Sequence, residues 1–318
     1  MADKTTDHAI TAGDLRGAAS DPTYAGVTSF MRRKYTKQID DADVVVWGIP
    51  LDTAVTNRPG ARFGPQAIRR ASAIFDNDPQ YPFSIDLFEE MAVADYGDCA
   101  FDLGRPWEVT ERIEREAARL IETGAFLLSL GGDHFVTWPL LKAHAGEYGP
   151  LALIQFDAHQ DTWPDDGERI DHGSFVTRAV RDGVIDASSS IQIGVRTIAP
   201  DDYGIEILFG DDVEEMSAQA IAEAIIERVG AMPCYVTFDI DCLDPAFAPG
   251  TGTPVAGGPS SAKMLSVIRR LGALDIKGAD VVEVSPPYDH ADVTAIAGST
   301  VAMYMLGLQA ERLAERNR

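Results

Sequence analysis

Eight short apolar runs recur along this 318-residue chain, and they restrict its fold more than any other feature does. Runs of this length, bounded by glycine and polar residues, are typical of strands buried on both faces of a sheet. The segments between several runs carry apolar residues at helical spacing, as at Val109, Ile113 and Ala117. Alternating strands and helices predict an α/β fold with a mostly parallel sheet covered on both faces. The runs occupy residues 43–50, 91–96, 125–130, 151–156, 190–194, 205–209, 234–238 and 278–284.

The chain divides into a short arm and one domain. Residues 1–40 are polar and small and show no sustained period, so we predict an N-terminal arm. No linker interrupts residues 41–318, which we interpret as a single domain. The apolar stretch 293–308 is too short and too polar for a good membrane span, and we expect a buried helix there.

The charge balance narrows the possible partners. There are 27 basic and 50 acidic residues, which give a formal net charge of -23. This charge disfavours nucleic acid and anionic membranes and suits a cationic substrate, although solubility or a salty medium would also explain it. The three cysteines form neither an even framework nor a Cys-x-x-Cys pair, which favours a reduced, cytoplasmic location.

Acidic residues and histidines follow two of the predicted strands. Asp157, His159 and Asp161 come directly after the run 151–156, and Asp239 and Asp241 follow the run 234–238. A spacing of two residues lets side chains at a strand end point the same way. Carboxylates at the end of a buried strand are costly unless a cation compensates them, so this pattern indicates a metal site.

A sixth residue, His134, follows the run 125–130 and two glycines that allow a tight turn. The set then has two imidazoles and four carboxylates, which two divalent cations would neutralise. Oxygen and nitrogen ligands without thiolates suit manganese, while zinc, iron or cobalt remain open. Taken singly, a strand-end aspartate is as often a helix cap, and His134 alone would be read as a satisfied buried histidine.

Five motifs together resemble the signatures of the ureohydrolase (arginase/agmatinase) family, over roughly residues 25–312. Within the family the chain is most similar to bacterial agmatinases, which hydrolyse agmatine to putrescine and urea. The resemblance implies a three-layer α/β/α fold with an eight-stranded parallel sheet, two manganese ions, and a homo-oligomer, usually a trimer or hexamer. The motifs are LGGDH at 130–134, FDAHQD at 156–161, DHG at 171–173, TFDIDCLDPAFAPGTGTP at 237–254 and VEVSPP at 282–287.

The resemblance also implies a role for each site residue. Glu283 matches the carboxylate that binds the guanidinium group, and His172 matches a histidine implicated in proton transfer. Asp161 is expected to pass a proton to the departing amine, after water activated by the two cations attacks the guanidinium carbon. One ion would be held by His134, Asp157, Asp161 and Asp239, and the other by Asp157, His159, Asp239 and Asp241.

The loop at 162–171 departs from the arginase pattern, which is rich in Ser and Asn there. Its acidic residues Asp165, Asp166 and Glu168 would suit a substrate that ends in ammonium, and we predict substrate contacts for the first two. They are equally explained as solvated surface charges. No contact is predicted for Gln160, which stands where relatives often have a small residue.

Other functions remain open at this point. A guanidino acid such as 4-guanidinobutyrate would need a cationic anchor, and arginines at 58, 62 and 169 could supply one. A metal-bearing binding or regulatory subunit, or a zinc deacetylase of the related fold, would fit the sequence less well, because both predicted cation sites look complete.

Overall fold

The structure is a computed structural model, and it describes residues 15, 16, 23–75 and 79–316. Nine strands form one sheet in the order β1-β3-β2-β4-β9-β8-β5-β6-β7. Every neighbouring pair is parallel. The strands are β1 (Lys34–Tyr35), β2 (Val44–Ile49), β3 (Val93–Asp98), β4 (Phe126–Gly131), β5 (Ala152–Phe156), β6 (Ile191–Val195), β7 (Glu206–Phe209), β8 (Cys234–Asp239) and β9 (Ile276–Val282).

All eight predicted strands are confirmed as β2 to β9. The apolar runs of β2, β4, β5 and β8 are buried along their whole length, as expected for a sheet covered on both faces, whereas the edge strand β7 is half-buried. The ninth strand, β1, has only two residues and extends one edge of the sheet beside β3. It escapes prediction because a two-residue edge strand carries no apolar period.

Nine α-helices in the described residues cover the sheet in two layers. The helices are α1 (Gly64–Ser72), α2 (Leu87–Glu90), α3 (Pro106–Ile121), α4 (Thr137–Tyr148), α5 (Phe175–Arg181), α6 (Gly210–Glu215), α7 (Ala218–Val229), α8 (Ser261–Ile268) and α9 (Val293–Arg316). Helices α3, α4 and α5 pack on one face of the sheet, and the other six share the apolar core of the opposite face. The predicted three-layer α/β/α architecture is therefore confirmed.

Two further predictions concern the ends of the chain, namely the N-terminal arm and the buried helix at residues 293–308. Of the predicted arm 1–40, residues 1–14 and 17–22 lie outside the described part, and Lys34–Tyr35 belong to the sheet. The boundary at residue 40 stays a prediction. Helix α9 is long and apolar enough to cross a membrane, but 83% of its most apolar window is buried inside the protein. The predicted buried helix is confirmed.

Candidate metal centre

Four neighbouring strands at the middle of the sheet deliver the predicted site residues. In the order β4-β9-β8-β5, they end next to His134, Glu283, Asp239 and Asp157 respectively. Since all four strands are parallel, their carboxyl ends meet at one edge, which is where open α/β sheets bind ligands. The topology therefore gathers residues that lie up to 149 positions apart in the sequence.

The turn that carries His134 depends on a glycine. A Cβ atom on Gly132 would lie 1.7 Å from the carbonyl oxygen of Leu51, which is far inside van der Waals contact. The same carbonyl accepts a 2.8 Å hydrogen bond from the Asp133 N–H. Glycine is thus required for the chain to turn tightly at the end of β4 and bring His134 to the sheet edge.

Three carboxylates converge on one nitrogen of His134. Its Nδ1 atom lies 2.9 Å from Asp157 Oδ2, 3.0 Å from Asp161 Oδ2 and 3.2 Å from Asp239 Oδ2. Nδ1 is nevertheless a buried atom with no hydrogen bond of acceptable geometry, while Nε2 has a partner in Thr237 Oγ1 at 2.9 Å. Four ligand atoms that face one point without bonding one another have the arrangement of a cation site.

A second group adjoins the first. His159 Nδ1 lies 3.2 Å from Asp241 Oδ2 and 3.4 Å from Asp157 Oδ1. His134, Asp157 and Asp239 form one set of ligand atoms within 4.8 Å of one another, and Asp157, His159 and Asp241 form another. Asp157 belongs to both sets, in the bridging position that the resemblance implies.

The electrostatics of the cluster reflect its crowding. Burial raises the pKa of Asp161, and the neighbouring Asp157 raises it further, to about 6. Burial and the charges of Asp241 and Asp157 raise the pKa of Asp239 well above its usual range. Burial lowers the pKa of His159, but Asp241 and Asp157 outweigh it and raise that pKa to about 12. In the metal-free protein, protons bound to these side chains therefore offset the repulsion between the carboxylates. Divalent cations would take the place of those protons.

The cluster is held rigidly by the backbone. Asp157 Oδ1 accepts a 2.6 Å hydrogen bond from the His159 N–H, and Asp239 Oδ1 accepts a 2.8 Å bond from the Asp241 N–H. Asp161 and Glu283 adopt positive φ angles of 52° and 62°, in the left-handed region that non-glycine residues rarely occupy. Such a conformation costs about 1–3 kcal/mol and is concentrated at functional sites.

Glu283 and His172 form a buried pair beside the cluster. Glu283 Oε1 accepts hydrogen bonds from the His134 N–H at 2.9 Å and lies 2.8 Å from His172 Nδ1. Glu283 Oε2 is buried and has no hydrogen-bond partner. His172 Nε2 accepts from the Thr56 N–H at 3.2 Å and lies 2.8 Å from Thr56 Oγ1. Glu283 thus offers one free carboxylate oxygen to a ligand.

The protonation state of His172 follows from its two partners. Burial lowers its pKa, whereas the carboxylate of Glu283 raises it, to about 9 in the absence of cations. That pKa alone would leave the ring charged near pH 7, but the Thr56 N–H donates to Nε2, which requires a lone pair there, so the geometry indicates the neutral ring with its proton on Nδ1. Two cations nearby would shift the balance in the same direction.

A cavity of about 380 Å³ opens over the cluster. His159, Asp161 and Asp239 form part of its wall, together with His172. The remaining lining comes mostly from the 162–173 loop and from two threonines of other loops. These residues are Thr56, Trp163, Pro164, Arg169, Asp171, Gly173 and Thr253.

Two acids of the 162–171 loop, Asp165 and Asp166, are predicted to contact substrate and have partners within the protein. Asp165 is buried and pairs with Arg178 at 2.6 Å and Arg181 at 2.7 Å, so both of its oxygens are occupied. Asp166 is exposed and accepts hydrogen bonds from backbone N–H groups of the loop itself. Neither aspartate is one of the described residues that line the cavity. These contacts do not support the substrate contacts predicted for Asp165 and Asp166; the acid of this loop that reaches the cavity is Asp171.

The three arginines considered as carboxylate anchors have other partners. Arg62 donates to Asp52 at 2.6 Å, and Arg58 lies over the Tyr288 ring at 5.2 Å. Arg169 does line the cavity, but it pairs with Asp171 at 2.6 Å.

Several polar residues behind the ligands were not identified from the sequence. Gln155 donates to Asp157 Oδ2 at 2.7 Å and accepts from Gln192 at 2.7 Å, and Gln160 accepts from the Ala199 N–H. The signal was available, because a polar residue inside an otherwise apolar buried strand needs a partner. Gln155, Thr237 and Asp280 each interrupt such a run.

Comparison with known proteins identifies the family. The arginase family profile matches residues 42–307. An agmatinase from Chromobacterium violaceum is 50% identical over 304 residues, covering 95% of this chain and 94% of the relative. The crystal structure of a hypothetical agmatinase from Burkholderia thailandensis has a TM-score of 0.95 at 51% identity, covering 97% of this chain and 98% of that one.

A more distant structure is also similar. The proclavaminate amidino hydrolase from Streptomyces clavuligerus has a TM-score of 0.85 at 37% identity, covering 91% of this chain and 99% of that one. The chain therefore belongs to the arginase family of metal-dependent hydrolases.

Proposed function

We propose that this chain hydrolyses agmatine to putrescine and urea with the help of two divalent cations. The observation that carries the proposal is the free, buried Oε2 of Glu283, a carboxylate that lies beside two adjoining His/Asp groups and pairs with His172 of the cavity wall. A guanidinium group is a planar cation with donors only, and a buried carboxylate with an unused oxygen is a suitable partner for it.

The residues that would hold the cations are the six identified from the sequence: His134, Asp157, His159, Asp161, Asp239 and Asp241. Their nitrogen and carboxylate donors suit manganese, with zinc, iron or cobalt as alternatives. When bound, two such cations polarise the substrate and lower the pKa of water to near neutrality.

Glu283 would fix the guanidinium carbon in front of the cations. Its Oε1 is held by the His134 N–H and by His172, so its Oε2 has a fixed direction. Guanidinium resists attack because its charge is delocalised, and positioning by a rigid carboxylate lowers the barrier through a favourable orientation.

Asp161 and His172 would handle protons. Asp161 lines the cavity, so its carboxylate is accessible from there to water and to the departing amine. It would accept a proton from water and pass it to the departing amine. His172 is nine-tenths buried between Glu283 and Thr56 and would assist exchange with solvent through the cavity.

The far end of agmatine is an ammonium group. The Trp163 ring and the Asp171 carboxylate line the outer cavity, where a cation would be stabilised by an aromatic face and a negative charge. Arg169 pairs with Asp171, which compensates the charges of both side chains, so binding of an ammonium group by Asp171 would require this pair to open. The net charge of -23 would in addition attract a doubly cationic substrate.

A guanidino acid such as 4-guanidinobutyrate is the second candidate. Arg169 lines the cavity and would bind a carboxylate if it turned away from Asp171. The similarity to a proclavaminate amidino hydrolase gives this alternative support.

Urea release from a panel of guanidino compounds tests the proposal. We expect purified protein loaded with manganese to release urea from agmatine at least tenfold faster than from 4-guanidinobutyrate or arginine. Preference for 4-guanidinobutyrate would establish the alternative. Absence of urea from every compound, with two cations bound, would leave a binding or regulatory role.

We further propose a cytoplasmic homo-oligomer, a trimer or hexamer as in the family. The three cysteines are free and buried, which is consistent with a reducing compartment. Light scattering of the purified protein would give the subunit number.

A further inference from the structure

Asp280 is a buried carboxylate that the proposed reaction does not use. It lies in the middle of β9, opposite Thr237 of β8 and Ser129 of β4, and its solvent exposure is 0%. Burial of a carboxylate is costly unless its oxygens accept hydrogen bonds. The environment of Asp280 should therefore explain why a central strand of the sheet carries an acid.

Three hydroxyl groups donate to this carboxylate. Thr237 Oγ1 lies 2.6 Å from Asp280 Oδ1, while Tyr235 OH and Thr137 Oγ1 each lie 2.9 Å from Oδ2. Thr237 has a single hydroxyl hydrogen, and the shortest of the three bonds uses it. Its oxygen can then only accept further hydrogen bonds.

The hydroxyl oxygen of Thr237 accepts a hydrogen bond from His134. His134 Nε2 lies 2.9 Å from Thr237 Oγ1, so the ring proton must be on Nε2. In the neutral ring, Nδ1 is then a lone pair, and this is the nitrogen that faces the carboxylates of Asp157, Asp161 and Asp239. The chain of bonds from Asp280 thus sets which nitrogen is available as a ligand.

We propose that Asp280 and Thr237 are positioning residues that fix the tautomer of His134, leaving Nδ1 free to bind a divalent cation. The inference rests on the proposed role of His134 as a metal ligand. Neither positioning residue contacts the cation or the substrate. The strand period makes the arrangement possible, because Tyr235, Thr237 and Asp239 project from the same face of β8.

Two substitutions disrupt the chain of bonds without changing side-chain size. D280N places an amide donor next to Thr237, which frees the threonine hydrogen to donate to His134 Nε2 and favours the wrong tautomer. T237V removes the acceptor for the Nε2 proton. Loss of such an outer partner typically lowers metal affinity about 10- to 100-fold, and we expect both variants to do so for one of the two cations.

Two matched variants serve as controls. T237S keeps the hydroxyl and should restore manganese affinity to within about threefold of the parent. S129A removes another buried hydroxyl, from the strand on the other side of Asp280; Ser129 Oγ has no hydrogen-bond partner, so affinity should not change. Affinity is measured by calorimetric titration of the metal-free protein with Mn²⁺, after circular dichroism has shown that each variant is folded.

The tautomer itself is observable by NMR. In protein labelled with ¹⁵N-histidine and loaded with diamagnetic Zn²⁺, we expect the His134 proton on Nε2 in the parent and in T237S. D280N should lose that signature together with affinity. A parent protein with the proton on Nδ1, or D280N and T237V that bind Mn²⁺ within threefold of the parent, would overturn the inference.

A further variant separates this inference from the proposal on which it rests. H134A should lose one cation. If H134A binds two Mn²⁺ with parental affinity, the assignment of His134 as a ligand is wrong. If H134A loses a cation while D280N and T237V do not, the metal site stands and the positioning role of Asp280 is rejected.

Discussion

The substitution Glu283→Gln isolates the charge that the proposal assigns to guanidinium binding. Glu283 Oε1 is 2.9 Å from the His134 N–H and 2.8 Å from His172 Nδ1, so the glutamine carbonyl oxygen would keep that position. Its NH₂ group would then replace the free, buried Oε2. A guanidinium carries donors only, and it would meet another donor instead of an anion.

The size of the effect follows from this geometry. Removing one partner of a buried ion pair costs about 3–5 kcal/mol. Since about 1.4 kcal/mol corresponds to a factor of ten, kcat/KM for agmatine should fall between roughly 140-fold and 3,700-fold. Metal content should not change, because Glu283 is not among the six proposed ligands.

Steady-state urea release with saturating manganese measures this loss, with metal content determined on the same sample. Asp133→Asn is the matched control. Asp133 is also a buried acid with an unpartnered oxygen, it has the same size as asparagine, and it is not among the six proposed ligands. We expect less than a tenfold effect there. A Glu283→Gln enzyme that retains more than a tenth of parental kcat/KM would refute the reasoning.

Three further predictions concern the metal cluster and the acidic loop. Asp161→Asn should weaken manganese binding and reduce turnover by orders of magnitude in a folded protein; near-normal urea production in metal-limited buffer would count against it. The carboxylates raise the pKa of His159 to about 12, so a metal ion must displace a proton from this ring. The apparent Kd for Mn²⁺ should therefore fall as the pH rises from 6 to 8, by up to tenfold per pH unit for each proton released. A pH-independent Kd in calorimetry would contradict this. Asp165→Asn breaks a 2.6 Å pair with Arg178 and should cost about 3–5 kcal/mol in urea-induced unfolding, with KM for agmatine unchanged; a large rise in KM at unchanged stability would restore its predicted substrate contact.

Much of the fold was predictable because buried parallel strands leave a simple signal. Each of the eight predicted runs is a strand of the central sheet, and all except the half-buried edge strand β7 have apolar residues buried on both faces. The period of two after β5 and β8 also indicated the residues that meet around His134. Lys34–Tyr35 could not be found in this way, because an edge strand of two residues depends on its neighbour and not on its own pattern.

The acidic loop shows what sequence patterns do not contain. Asp165 and Asp171 are both acids of one loop, yet the first is buried against Arg178 and Arg181 and the second lines the cavity. Arg178 and Arg181 lie on α5, and only the packing of that helix decides which acid they bind. Asp280 is similar: its sequence position marks a buried polar residue, but its three hydroxyl partners come from two other elements.

The central claim is that six side chains hold two cations at the carboxyl edge of the sheet. An anomalous difference map from manganese-soaked crystals, recorded at the manganese edge, tests it most directly. We predict two peaks per chain, one next to His134 Nδ1 and one next to His159 Nδ1, with Asp157 between them. For protein that releases urea from agmatine, a single peak, or no peak at the carboxyl ends of the strands, would contradict the account.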